Sequence, residues 1–151
     1  MSEHKVELIW HRHTPDFTYE RFDRTHTWRF SGGQTVQGSA APAYHGDARL
    51  ANPEEGLVAA LASCHMLTFL ALAALKRWQV DSYHDEPGGE LGKDDAGNIM
   101  IARITLRPHV VFGGEHRPDA QQLLELHHKA HAKCFVANSL KSKVVLDPRL
   151  D

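Results

Sequence analysis

Two cysteines, Cys64 and Cys134, are the side chains of this sequence best suited to nucleophilic or redox chemistry. Cys64 lies in the middle of an apolar run from Leu57 to Leu75 and is followed by His65, while Cys134 follows His127, His128 and His131. Each also suits plain packing, since a free cysteine among Ala and Leu behaves as a small core residue. Reactivity requires thiolate, and a thiolate in apolar surroundings requires a nearby cation. Arg24 is the candidate: Phe22, Arg24, His26, Trp28 and Phe30 share one face of a period-2 segment, which sets a guanidinium among aromatic rings. A guanidinium so placed calls for a carboxylate, and Glu54, at the start of the next helix, is the best supplier. The plainer readings of these two are a surface strand arginine and a charge complementing a helix start.

The same region offers a second chemistry. The chain holds 12 histidines, and His127, His131 and Cys134 fall at i, i+4 and i+7 of a helical face, a spacing that suits three zinc ligands. The other histidines are scattered without ligand spacing, and a zinc site would leave Cys64 unexplained. No metal or other cofactor is therefore expected. A non-catalytic binder of small apolar ligands, with both cysteines vestigial, is a third reading.

The elements that must position these residues follow from periodicity. Lys5 to His11 alternates as a strand, Ser31-Gly32-Gly33 reads as a hairpin turn, and Gln34 to Gly38 as its return strand. Ser39 to Ala51 reads as a loop. Asn52-Pro53-Glu54-Glu55 then opens a helix, with Asn52 as cap, Pro53 in the first position and two carboxylates at the positive end of the dipole. That helix is expected to run to about Arg77. Strands return from Val80, with Asp94 to Asn98 as a turn before a strand from Ile99 to Phe112. Pro118-Asp119 starts a second helix carrying Leu123, Leu126, Ala130 and Cys134, and Lys141 to Leu146 closes the chain as a strand.

Between Leu57 and Leu75 only Ser63, His65 and Thr68 are polar, so the central helix must be buried all round. A membrane span would achieve that, but Ala is a weak membrane residue, His65 sits mid-segment, and the remaining pattern is that of an ordinary soluble α+β chain. A helix from Pro53 to Arg77 is roughly 37 Å long, whereas a globule of this size has a radius of gyration of about 15 Å. One small sheet cannot wrap it, and a second copy of the chain is the simplest cover. Glu54 and Cys64 lie ten residues apart, about 15 Å along the axis. If both serve one site, Glu54 must come from the partner chain.

At 151 residues one domain spanning 1–151 is expected, and 17 Lys and Arg against 19 Asp and Glu leave no basic field for nucleic acid or an anionic membrane. The N-terminus lacks the features of a secretory signal, so the cytoplasm is the expected location, where a permanent disulfide is disfavoured.

Asn52-Pro53-Glu54-Glu55, Ala62-Ser63-Cys64-His65-Met66-Leu67 and Ala130 to Ser139, together with Phe22 to Trp28, resemble the OsmC/Ohr family of osmotically inducible and organic-hydroperoxide-resistance proteins. The resemblance implies an α+β fold with antiparallel sheets packed on a long buried central helix, in an intertwined homodimer with sites at the subunit interface. It further implies a cysteine-based peroxide reductase acting in oxidative or osmotic stress defence. Cys64 would attack the O–O bond and become a sulfenic acid, and Cys134 would condense with it to a disulfide. A dithiol reductant, linked in the Ohr branch to lipoylated proteins, would reopen it, with Arg24 and Glu54 as the site's charged pair. His65 and Phe135 stand where the Ohr pattern has phenylalanine and proline, which points to the OsmC-like side.

Overall fold

The computed structural model describes all 151 residues, which separate into two compact units, Met1–Gly56 and Leu57–Asp151. In the first unit, β1 (Val6–Ile9), β2 (His26–Phe30) and β3 (Thr35–Gly38) form an antiparallel sheet in that order. Trp28 on the middle strand faces Leu8 on one side and Val36 on the other. Gly33 closes the β2–β3 turn with a left-handed φ of 88°, which glycine adopts without a Cβ penalty. A single 3₁₀ turn, Pro42–Tyr44, interrupts the loop that follows.

The expected strand face from Phe22 to Phe30 is shorter than its sequence pattern. Strand β2 begins at His26, because the Asp23 carboxylate accepts the Thr25 N–H at 2.9 Å and the Trp10 indole N–H takes the Asp23 carbonyl at 2.7 Å. Local side-chain partners thus remove residues 23–25 from the ladder and leave Arg24 in a pinned loop.

Helix α1 (Pro53–Leu75) starts as its sequence requires. The Asn52 side chain accepts the Glu55 N–H at 2.9 Å, and the Glu55 carboxylate accepts the Asn52 N–H at 3.1 Å. It ends two residues earlier than expected: Arg77 turns left-handed at φ 59°, the Arg77 N–H reaches the Ala74 carbonyl at 2.9 Å and the Trp78 N–H the Ala73 carbonyl at 3.0 Å.

In the second unit β4 (Val80–His84) pairs with β7 (His109–Phe112), while β5 (Gly88–Lys93), β6 (Ile99–Leu106) and β8 (Lys143–Leu146) form a separate sheet. All pairings are antiparallel except β6 with β8, which is parallel. The single strand expected from Ile99 to Phe112 is therefore two strands in two sheets. Pro108 separates them, since it has no N–H to continue the ladder. Helix α2 (Ala120–Lys133) opens on a capping box between Asp119 and Gln122 and is followed by the short α3 (Phe135–Asn138).

Within this unit α1 buries one stripe: Val58, Leu61, His65, Phe69 and Ala73. Phe69 and Ala73 pack with Val110, Leu123, Leu126 and Ala130, and Leu61 packs with Ile104, Leu106 and Cys134. The opposite stripe, Ala60, Ser63, Leu67, Ala71 and Ala74, is exposed, with Leu67 at 60% and Leu75 at 82% of full exposure. A single chain therefore covers one side of a helix whose sequence is apolar on nearly all sides. Its length and mean hydropathy of 2.0 would also suit a membrane span, but its core stripe is already packed against strands and α2.

Candidate active site

Cys134 is not inside the second helix as its spacing suggests. It takes extended backbone angles (φ −74°, ψ 116°) and serves both as the last cap of α2 and as the first cap of α3, its sulfur accepting the Ala137 N–H at 3.4 Å. The break turns the first free N–H groups of α3 toward Cys64, on the middle of α1. Both thiols are reduced, Cys64 partly accessible and Cys134 fully buried.

Burial pushes the Cys64 thiol up, but the Val136 N–H, the Cys134 thiol and the Phe135 N–H donate to its sulfur and bring it below an ordinary cysteine. The Thr68 hydroxyl lies beside the sulfur too, yet its one proton is committed to the Cys64 carbonyl at 2.8 Å. Cys134 is driven the other way, first by burial and then because its proton stabilises a Cys64 thiolate. One sulfur is thus shifted toward thiolate and its neighbour is held protonated beside it.

A groove of about 840 Å³ opens over Cys64, lined by Ala60, Leu67, Ala71, Lys133 and Phe135 among others. Phe135 is 83% exposed at its rim. The lining is mostly apolar, and the exposed stripe of α1 forms its floor.

In the first unit, Arg24 makes no ion pair. Its guanidinium donates to the Phe22 carbonyl at 2.8 Å and the Tyr19 carbonyl at 2.5 Å, and lies 3.8 Å from the Phe22 ring centre. The neighbouring arginines are otherwise engaged, Arg21 with Asp16 at 3.0 Å and Arg29 with Glu7 at 2.8 Å across β1 and β2. Arg24 instead lines an apolar chamber of about 440 Å³ with Leu8, Trp10, Phe17, Phe22 and His26. The carboxylate expected to hold it does not do so within one chain: Glu54 pairs with no cation, and its Oε2 is buried without a hydrogen-bond partner.

The zinc reading of His127, His131 and Cys134 fails on geometry. Helix α2 ends at Lys133, so Cys134 leaves the helical face that the spacing assumes, and no three His, Cys, Asp or Glu side chains are grouped to hold a metal ion. His127 turns instead to His65: the rings stack within 5° of parallel, and His65 Nε2 lies 3.1 Å from His127 Nδ1. Burial lowers His65 to about 4 and His127 to about 3, so both rings are neutral. His65 is therefore a packed core residue.

Sequence reasoning missed two features of the site. It looked for a cation beside Cys64 and did not foresee amide donors, whose placement depends on a backbone break at Cys134. It also left the partner of His65 unnamed, although a histidine in an apolar helix stripe always needs one.

The OsmC-like protein family matches residues 46–149 in sequence. An OsmC-like protein of unknown function from Vibrio cholerae O1 biovar eltor superposes at a TM-score of 0.95 with 43% identity, covering 99% of this chain and 100% of that one. An OsmC-like protein from Mycoplasma pneumoniae follows at 0.74 with 14% identity, over 98% and 96% of the two chains. The organic hydroperoxide resistance protein OhrB of Bacillus subtilis superposes at 0.68 with 20% identity, over 98% of each. No curated protein is significantly similar in sequence. The chain belongs to the OsmC-like family.

Proposed function

We propose that this protein is a thiol peroxidase that reduces organic hydroperoxides, with hydrogen peroxide as a poorer substrate, in oxidative or osmotic stress defence. The observation that carries the reading is the thiol pair: an accessible Cys64 favoured as thiolate, touching a buried Cys134 that retains its proton. The family and the hydroperoxide-resistance relatives of the same fold support it.

The Cys64 thiolate attacks the distal peroxide oxygen, the O–O bond breaks, and the alkoxide leaves as an alcohol after taking a proton. The Cys64 sulfenic acid then condenses with the Cys134 thiol, forming the S–S bond and releasing water. A dithiol, such as the lipoyl group of a lipoylated protein, returns both thiols and is itself oxidised to a disulfide. An apolar groove over Cys64 favours an alkyl hydroperoxide over hydrogen peroxide. The Arg24 guanidinium supplies the charge that steadies the thiolate and the leaving oxygen, and Glu54 holds that guanidinium.

The unit of function in this proposal is a cytoplasmic homodimer in which residues 1–151 act as one domain. The uncovered stripe of α1 supports the dimer, since packing it against a second copy removes Leu67 and Leu75 from water. Light scattering is expected to give twice the chain mass, and the chain mass alone overturns it.

The function is tested by adding one equivalent of tert-butyl hydroperoxide to reduced protein. Free thiols are expected to fall from two to none per chain, with peptide mapping placing a Cys64–Cys134 disulfide. Two thiols remaining after exposure to tert-butyl hydroperoxide would end the proposal.

A further inference from the structure

Resting on the reading of Arg24 as the charge that serves Cys64, we propose that His26 and Trp28 are positioning residues, forming a hydrogen-bonded relay that fixes the Arg24 backbone.

The relay has one possible polarity. An indole N–H only donates, so at 2.7 Å from Trp28 Nε1 the His26 Nε2 must accept. The ring proton therefore sits on Nδ1, which donates to the Arg24 carbonyl at 2.8 Å. Two further contacts hold the other end of the residue, the guanidinium bonds to the Phe22 and Tyr19 carbonyls. Arg24 is thus fastened at both its backbone and its charged tip, although no carboxylate touches it within the chain.

Two glycines make room for the relay. A Cβ at Gly38 would stand 2.8 Å from both His26 Nε2 and Trp28 Nε1, and one at Gly56 would stand 2.6 Å from Trp28 Cη2. Gly38 ends β3, and Gly56 lies two residues beyond Glu54 in the opening turn of α1. The indole is wedged between these two backbones, so the relay ties the Arg24 loop to the turn that carries Glu54. Since Arg24 precedes β2 and lacks ladder bonds, this relay replaces the sheet as what sets its place.

The test follows the pH dependence of Cys64 alkylation by iodoacetamide in the full-length protein, read at the Cys64 peptide by mass spectrometry. Arg24→Met is expected to raise the midpoint by roughly one pH unit. His26→Leu raises it by more than half as much, and adding it to Arg24→Met raises it no further. In His26→Asn the amide nitrogen takes the Nδ1 position and still donates to the Arg24 carbonyl while the Trp28 contact is lost, so the midpoint moves part of the way back to that of the parent. Should His26→Leu not fold, Trp28→Phe, which removes the indole N–H, is expected to move the midpoint the same way.

A parent-like midpoint in His26→Leu, or in Trp28→Phe where that variant is used, overturns the relay while an Arg24→Met shift leaves the function intact. An Asn variant as impaired as the Leu variant also overturns it, because packing alone would then explain both. No shift in Arg24→Met ends the reading of Arg24 itself and the relay with it.

Discussion

Cys64→Ser is expected to lower hydroperoxide consumption by at least about a thousandfold, as removal of a reacting nucleophile does. A serine hydroxyl has the same amide donors but stays protonated, so it offers no anion to attack oxygen. Cys134→Ser is expected to behave differently. The first turnover remains, because the Val136 and Phe135 N–H groups still face Cys64 and the hydroxyl introduced at position 134 keeps a proton to donate. The Cys64 sulfenic acid then has no thiol to condense with, and it accumulates or is oxidised further to the sulfinic acid. Trapping with dimedone and intact-mass measurement distinguishes the variants: one adduct per chain in Cys134→Ser and none in Cys64→Ser. The reverse pattern would make Cys134 the attacking sulfur, which its full burial opposes. Parent-like turnover in Cys64→Ser would remove the peroxidase reading altogether.

The contrast between the sulfurs explains which parts of the site were legible. Local signals were strong where neighbouring residues decide structure, as at the start of α1, where Asn52 and Glu55 cap each other across one turn. The uneven cover of that helix was also legible, because its apolar residues outnumber those a single chain can bury. Less was legible where a single residue changes the rule. Pro108 splits a strand whose alternation otherwise continues, and Asp23 with Trp10 withdraws Arg24 from a strand that its period-2 spacing assigns. Least legible was the thiolate's environment. The Val136 and Phe135 amides carry no side-chain signature, and they face Cys64 only because α2 stops at Cys134. Identity of residues told that Cys64 needs stabilising charge; backbone geometry decides that dipoles supply a share of it. The same break at Cys134 dissolved the zinc stripe, so one local conformation settles both questions.

Acid is expected to unfold this protein in a window set by its buried histidines. His65 and His127 are lowered to about 4 and about 3, chiefly by burial, with His131 facing the first ring and His65 and His128 facing the second. The Phe69 ring stacks on His127 at 4.3 Å and offers no counter-charge. Between these values and the unfolded value of 6.5 the unfolded chain binds more protons than the folded one, so stability rises with pH. The stabilisation is complete above about pH 6.5 and is lost as pH falls toward 4. For His65 alone the loss is about 3 kcal/mol, a large part of the 5–15 kcal/mol or so typical of a domain. Few other groups act in the same window. Asp23, Asp47 and Asp94 are held below ordinary carboxylates, first by hydrogen bonds to Thr25, Arg49 and Asn98, so their contribution persists to lower pH. Asp85, pushed up by burial, works in the opposite sense. Urea midpoints measured from pH 7.5 to 4.5 are therefore expected to fall steeply below pH 6. His65→Leu with His127→Leu removes both rings together, leaving no orphaned partner, so stability at pH 7 stays close to the parent while the acid slope flattens. A double variant as acid-labile as the parent would locate the switch elsewhere. The consequence for function is direct, because His65 follows Cys64 on α1: charging the pair pushes apart α1 and α2, and α2 ends at Cys134. Peroxide-driven disulfide formation should therefore be lost with the fold at that acid midpoint, on top of its decline as the Cys64 thiolate takes up a proton.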